Sequence, residues 1–154
     1  MLHISKVPSL MTLLVTIAIT GCSPTISDIS CSDKNVQKTV IKLATNPIAE
    51  SLFKSHITYK AQSPGIAYRI KGMDYPALLK LTKKNKLPEL DDALSYTNKI
   101  LKKLRLENMR MDSRNQDANK MLCAANLVAQ GKADITYSVH LTEQEELYVE
   151  VFGL

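Results

Sequence analysis

Three kinds of hydrophobic pattern follow one another along the chain. Residues 7–19 form a continuously apolar run that carries no charge. Between residues 36 and 104, apolar residues recur mainly at spacings of three and four, which is typical of amphipathic helices. From residue 104 onward they mainly alternate with polar residues, which is typical of half-buried strands. The sequence therefore predicts helices first and strands second.

Prolines divide the helical region. A first helix is expected to begin after Ser32 or Asp33, both good N-caps, and to end at Asn46-Pro47, where a second helix begins. Pro76 and Pro88 predict the starts of two later helices, the last with an apolar stripe to residue 104. Residues 56–70 alternate around a Ser-Pro-Gly turn signal, which predicts a hairpin.

The last third of the chain predicts an antiparallel meander. Candidate strands cover residues 104–111, 121–129, 135–141 and 147–152, and residues 112–119 form a polar turn between the first two. The last two candidate strands alternate cleanly around an acidic turn, which is a hairpin pattern. The expected fold class is α+β, with N-terminal helices packed on one face of a C-terminal antiparallel β-meander.

The apolar run at the amino terminus belongs to a targeting signal. Lys6 precedes it, and the small residues Thr20 and Gly21 separate it from Cys22. The run is shorter than the roughly 20 residues that span a bilayer. The sequence Ile19-Thr20-Gly21-Cys22 resembles the lipobox of bacterial lipoproteins. An uncleaved anchor, or an ordinary secretory signal with an incidental cysteine, is the alternative.

The resemblance implies a lipid anchor. In lipoproteins the lipobox cysteine receives a diacylglycerol on its thiol and becomes the first residue after cleavage, often with a further acyl chain such as palmitate on the new amine. Residues 1–21 are then a signal peptide, residues 22–30 a lipidated tether, and residues 31–154 one periplasm-facing domain. Ser23 after Cys22 favours the outer membrane, because aspartate there tends to retain enteric lipoproteins at the inner one.

Composition restricts the core and the partners. Apolar residues make up 45% of the chain and aromatic residues only 5%, with no Trp, so we expect a mainly aliphatic core. The formal charge of +5 is a mild basic bias and not the signature of a nucleic-acid-binding protein. We expect no nucleic acid as a partner.

Three cysteines occur, and the lipobox resemblance assigns Cys22 to lipid. Cys31 and Cys123 remain in a compartment that permits disulfides, so we expect them to pair. Two buried free thiols or a shared metal are the alternatives, although two cysteines lack the ligand number of a structural zinc site. We expect neither a metal nor another cofactor.

The sequence contains no recognisable catalytic motif. Only His56 and His140 follow the signal peptide, and we find no phosphate-binding loop, dinucleotide fingerprint, H-E-x-x-H or G-x-S-x-G pattern. A Ser–His–Asp set assembled by folding remains open, because triads are not local in sequence. We expect a protein that is not an enzyme, with a small envelope hydrolase as the lesser alternative.

The region between residues 80 and 105 is strongly basic. Lys99, Lys102 and Lys103 lie at its carboxyl end and are candidates for an anionic-surface binding site. The alternative is that the bases at the end of the Pro88 helix and the acids at its start only complement the helix dipole.

The sequence thus leads to a functional expectation. The chain is expected to be a membrane-anchored lipoprotein of the cell envelope, held through Cys22, that binds or scaffolds an envelope protein or cell-wall component. An exclusion or inhibitor lipoprotein of the phage or plasmid type is the alternative within the binding class.

Overall fold

Helices precede strands along the chain, as the polarity pattern predicts. The computed structural model describes residues 29–142, 144 and 146–154, so Cys22 lies outside the described residues. The helices are α1 (Lys34–Ser55), a π-helix (His56–Lys60), α2 (Pro64–Ile70), α3 (Tyr75–Asn85) and α4 (Pro88–Leu101), and the strands are β1 (Arg105–Asn115), β2 (Lys120–Val128), β3 (Lys132–Leu141) and β4 (Leu147–Phe152). The predicted α+β class is confirmed.

Local sequence explains where the helices begin. The Asp33 carboxylate accepts hydrogen bonds from the backbone N–H groups of the first turn of α1, and Asp74 does the same for α3 at 2.8 Å. Proline occupies the first turn of α2, α3 and α4, where its missing N–H costs nothing. The predicted starts near Pro76 and Pro88 are therefore confirmed.

The predicted helix break at Pro47 is wrong. Helix α1 continues through this proline to Ser55. Proline removes one hydrogen bond inside the helix, but the buried positions Val36, Val40 and Ala44 before it and Ala49 and Phe53 after it hold both halves in place. Burial of this stripe on both sides of the proline outweighs the lost hydrogen bond.

The predicted hairpin over residues 56–70 is also wrong, because this segment is helical. Ile57 and Ile70 are fully buried, whereas Tyr59 and Tyr68 are 76% and 86% exposed, so the alternating apolar residues do not share one buried face. The segment extends α1 by a π-helical turn, and a short break before α2 follows, in which Gln62 adopts a left-handed φ of 48°. Packing against the other helices overrides its strand-like pattern.

The strands form one antiparallel sheet in the order β1-β2-β3-β4. The predicted hairpin between β3 and β4 is confirmed. Strand β1 runs four residues further than expected, through Asn115, so the predicted polar turn at residues 112–119 is too long. Irregular pairing interrupts β1 twice, between Glu107 and Arg110 and between Met111 and Ser113, which is why its apolar alternation ends early.

Two hydrophobic clusters share helix α1. The first lies between the amino-terminal half of α1 and the sheet and includes Val40, Cys123 and Tyr137. The second lies between the carboxyl-terminal half of α1 and helices α2 to α4 and includes Phe53 and Leu90. Helix α1 provides most of the helix–sheet contact, and α3 and α4 pack against α1.

The predicted disulfide between Cys31 and Cys123 is confirmed. It joins residues 92 positions apart and ties the start of α1 to strand β2, with the two Cα atoms 5.8 Å apart. Both cysteines are buried, and the Tyr137 hydroxyl donates a 2.8 Å hydrogen bond to the Cys31 carbonyl. Among the described residues, every helix is too short or too polar to span a bilayer.

A candidate binding groove beside the second half of the first helix

An apolar groove opens where the second half of α1 passes the end of the sheet. From α1 it receives Pro47, Ile48, Ser51 and Leu52. Ile48 and Leu52 are both half-buried, and Ile48 also packs against the cluster between α1 and the sheet. The proline that fails to end the helix therefore forms part of a groove wall.

The sheet supplies the floor of this groove. Leu127 and Ile135 lie there, and both are almost completely buried. The β2–β3 turn, the start of β3 and the residues after β4 complete the lining through Ala129, Gln130, Gly131, Lys132, Ala133, Gly153 and Leu154. The cavity measures about 570 Å³, within the range of roughly 300 to 1,000 Å³ that is usual for ligand sites.

A smaller and more polar compartment adjoins the apolar one. It measures about 240 Å³, and Leu52 and Gln130 line both compartments. Its other lining residues are Ser55, His56, Tyr59, Lys60 and Tyr96. Three of these, His56, Tyr59 and Lys60, belong to the π-helix, a rare element that is frequently found at functional sites.

His56 is fixed at the base of the smaller compartment. Its Nε2 lies 2.7 Å from Oδ2 of Asp92 on α4, and its ring packs on Tyr96 with the centroids 4.6 Å apart. Only 8% of His56 is exposed, whereas 72% of the Asp92 side chain is exposed. Because a carboxylate accepts hydrogen bonds, Nε2 carries a proton in this pair. The pair anchors the π-helix to α4.

The arrangement at His56 does not form a Ser–His–acid triad within the described residues. In such a triad one ring nitrogen binds the acid and the other reaches the nucleophile. Here Nδ1 is buried and has no hydrogen-bond partner in the described part of the chain. The residues that the structure describes also contain no group of three metal-ligating side chains.

Gln130 connects the two compartments. Its Oε1 accepts a 2.5 Å hydrogen bond from the Tyr96 hydroxyl, which ties the β2–β3 turn to α4. Because Oε1 accepts this bond, the amide Nε2 of Gln130 is left as a donor at the junction. The ionisable side chains that line the two compartments are His56, Tyr59, Lys60, Tyr96 and Lys132, and no carboxylate side chain lines either one in the described structure.

The three lysines of the predicted anionic-surface site lie at the carboxyl end of α4. Lys99 follows Tyr96 by one helical turn, and Lys102 and Lys103 follow the end of α4. The chain then enters β1, where Arg105 pairs with Val128 just before the β2–β3 turn. All three lysines are exposed. They line neither compartment and occupy the end of α4 that the helix dipole favours.

Sequence reasoning did not find the groove residues. Asp92 lies 36 positions after His56, and Gln130 lies 34 positions after Tyr96, so no local motif joins them. The sequence signal was a histidine, His56, between the apolar residues Phe53 and Ile57, both of which the structure buries. The predicted hairpin assigned His56 to a strand, so this helical spacing was missed.

Comparison with known proteins identifies no relative. No protein-family model matches the chain, and neither a curated protein nor a solved structure matches it.

Proposed function

We propose that this chain is a lipid-anchored lipoprotein of the bacterial envelope that acts through binding and not through catalysis. The groove beside α1 is its recognition site, and the observation that carries the proposal is this apolar cavity of about 570 Å³. A large cavity with a few polar groups at one end is the usual form of a ligand site.

The position of the groove supports this function. Near the amino-terminal end of the described chain, beside the start of α1, Cys31 is cross-linked to Cys123. Pro47 and Leu52 lie 13 and 18 residues beyond Lys34, which corresponds to about 20 to 27 Å along the helix. In the proposed lipid-anchored protein, the groove is thus separated by this length of α1 from the point where the tether joins the domain.

The anchor is tested by metabolic labelling. A clickable fatty-acid analogue should label the wild-type protein and not the Cys22→Ser variant, because only the cysteine thiol accepts the diacylglycerol. Fractionation of the same cells should place the labelled protein in the outer membrane. Equal labelling of both proteins contradicts the lipid anchor.

The recognition site is tested by photocrosslinking in intact cells. A photoreactive amino acid at Ser51, which is exposed in the groove, should give discrete crosslinks to an envelope component. The matched control is the same amino acid at Lys38, which is exposed on the first half of α1. Crosslinks no stronger at Ser51 than at Lys38 contradict a binding function of this groove.

A further inference from the structure

We propose that the groove binds a long-chain fatty acid, with the alkyl chain in the apolar compartment and the carboxylate at the junction with the smaller one. This inference rests on the proposed function and identifies the ligand. It follows from the distribution of polarity and charge along the groove.

The apolar compartment fits an alkyl chain. Its lining includes the apolar side chains of Ile48, Leu52, Leu127, Ala133 and Ile135, and its ionisable lining side chain in the described structure is Lys132. Leu127 and Ile135 are 4% and 2% exposed, so they form a fixed floor and not a mobile surface. An unbranched chain needs no hydrogen bonds and gains from each methylene that leaves water.

The junction fits an anionic head group. The amide Nε2 of Gln130 is a donor there, and the hydroxyl of Tyr59, which is 76% exposed, is a second. Lys60 lines the smaller compartment and Lys132 lines the larger one, and both are exposed. His56 holds the π-helix in place through Asp92 and does not contact the head group directly. The Asp92 carboxylate next to this compartment is paired with His56, whereas Lys60 and Lys132 line the compartments as cations and favour an anion.

The charge around the groove distinguishes this ligand from a neutral apolar molecule. Lys99, Lys102 and Lys103 are exposed cations at the carboxyl end of α4, the helix that also carries Tyr96 of the smaller compartment. They lie outside the lining, so they attract an anion without touching it, and their contribution falls with added salt. A fatty acid has both properties that the groove selects, an apolar chain and one negative charge.

The test uses the full chain reconstituted in phosphatidylcholine nanodiscs. A palmitate analogue with a diazirine in the chain is added, and the adducts are mapped by mass spectrometry after irradiation. Adducts are expected on the peptides that contain Leu52 and Leu127, and excess palmitate should compete for them. Adducts spread over the whole chain, or insensitive to competition, overturn the proposal.

Two pairs of variants test the two ends of the ligand. Ala133→Trp fills the apolar compartment and should lower the adduct yield about tenfold, whereas Ala118→Trp, in the exposed β1–β2 turn, should not. The double variant Lys60→Gln/Lys132→Gln should weaken palmitate competition several-fold and leave competition by the corresponding alcohol unchanged. Lys38→Gln/Lys42→Gln removes the same charge from the first half of α1 as a control. The proposal is overturned if the adduct yield of Ala133→Trp and the palmitate competition of Lys60→Gln/Lys132→Gln both equal those of the wild-type protein.

Failure of this inference is distinguishable from failure of the proposed function. If palmitate gives no groove adducts but Ser51 crosslinks to an envelope protein in cells, the groove takes an apolar segment of that protein and only the fatty-acid proposal falls. If neither probe reacts at the groove, both proposals fall.

Discussion

Removal of the disulfide between Cys31 and Cys123 should be costly for this protein. The bond closes a loop of 92 residues. In the chain-entropy model a loop of this length restricts the unfolded chain by about 4.6 kcal/mol at 25 °C. Domains of this size have a total stability of roughly 5 to 15 kcal/mol. Loss of the bond should therefore remove between a third and most of the free energy of unfolding.

The pattern among variants is as informative as the magnitude. Cys31→Ala and Cys123→Ala each abolish the whole cross-link, so the double variant should cost little more than either single one. Both sulfur atoms are buried, and each alanine adds a small packing loss. The two single effects are therefore expected to be strongly non-additive.

Urea unfolding followed by far-UV circular dichroism measures these differences. A reductant should lower the midpoint of the wild-type protein to that of the double variant and should leave the double variant unchanged. A wild-type midpoint that does not move once reduction is verified by thiol alkylation, or single effects that simply add, would refute the loop-closure reasoning.

Three further predictions concern single features of the fold. Tyr137→Phe removes the only donor seen to the Cys31 carbonyl in the described structure and should cost about 1 to 3 kcal/mol in the same urea titration. Burial raises the pKa of Tyr137 from 10.0 to about 12. The unfolded state therefore loses this proton at a lower pH than the folded state, and the free energy of unfolding should fall between these two pH values. The Tyr137→Phe variant lacks the hydroxyl, so its free energy of unfolding should fall less steeply over the same range. Pro47→Ala restores an amide donor inside α1 and should stabilise the protein by roughly 1 to 3 kcal/mol, measured by urea midpoint, while it lowers the yield of groove adducts. Replacement of Lys99, Lys102 and Lys103 together by Gln should cost about 1 kcal/mol if they only complement the helix dipole, whereas salt-sensitive loss of envelope association with intact folding would identify a docking surface.

The periodicity of apolar residues correctly predicted those elements that bury one regular face of their own. Helix α4 and the β3–β4 hairpin were predicted correctly because each keeps a regular spacing of buried positions along the sequence. The disulfide was correct because only two cysteines remained once Cys22 was assigned to lipid. These features depend on local spacing and on residue counts, which a single sequence contains.

The errors arose where packing overrides local preference. Pro47 was taken as a helix end, but α1 is buried on both sides of it. The segment at residues 56–70 alternates like a strand, yet its two exposed tyrosines show that the alternation marks no common face. The groove was not predictable for a related reason. Its walls come from α1, the β2–β3 turn and the residues after β4, which only the folded chain brings together.

The position of the disulfide also determines how the protein bears mechanical load. A pull on the amino-terminal side of the chain reaches Cys31 before it reaches α1, and the covalent bond passes the force to Cys123 on strand β2. Strand β2 is paired along both edges, so the force enters the sheet at a strand that two hydrogen-bonded ladders hold in place. Helix α1 is thereby protected from being peeled off the sheet. In the proposed lipid-anchored form, tension from the anchor would therefore reach the sheet through a covalent bond before it reached the helix that forms one wall of the groove.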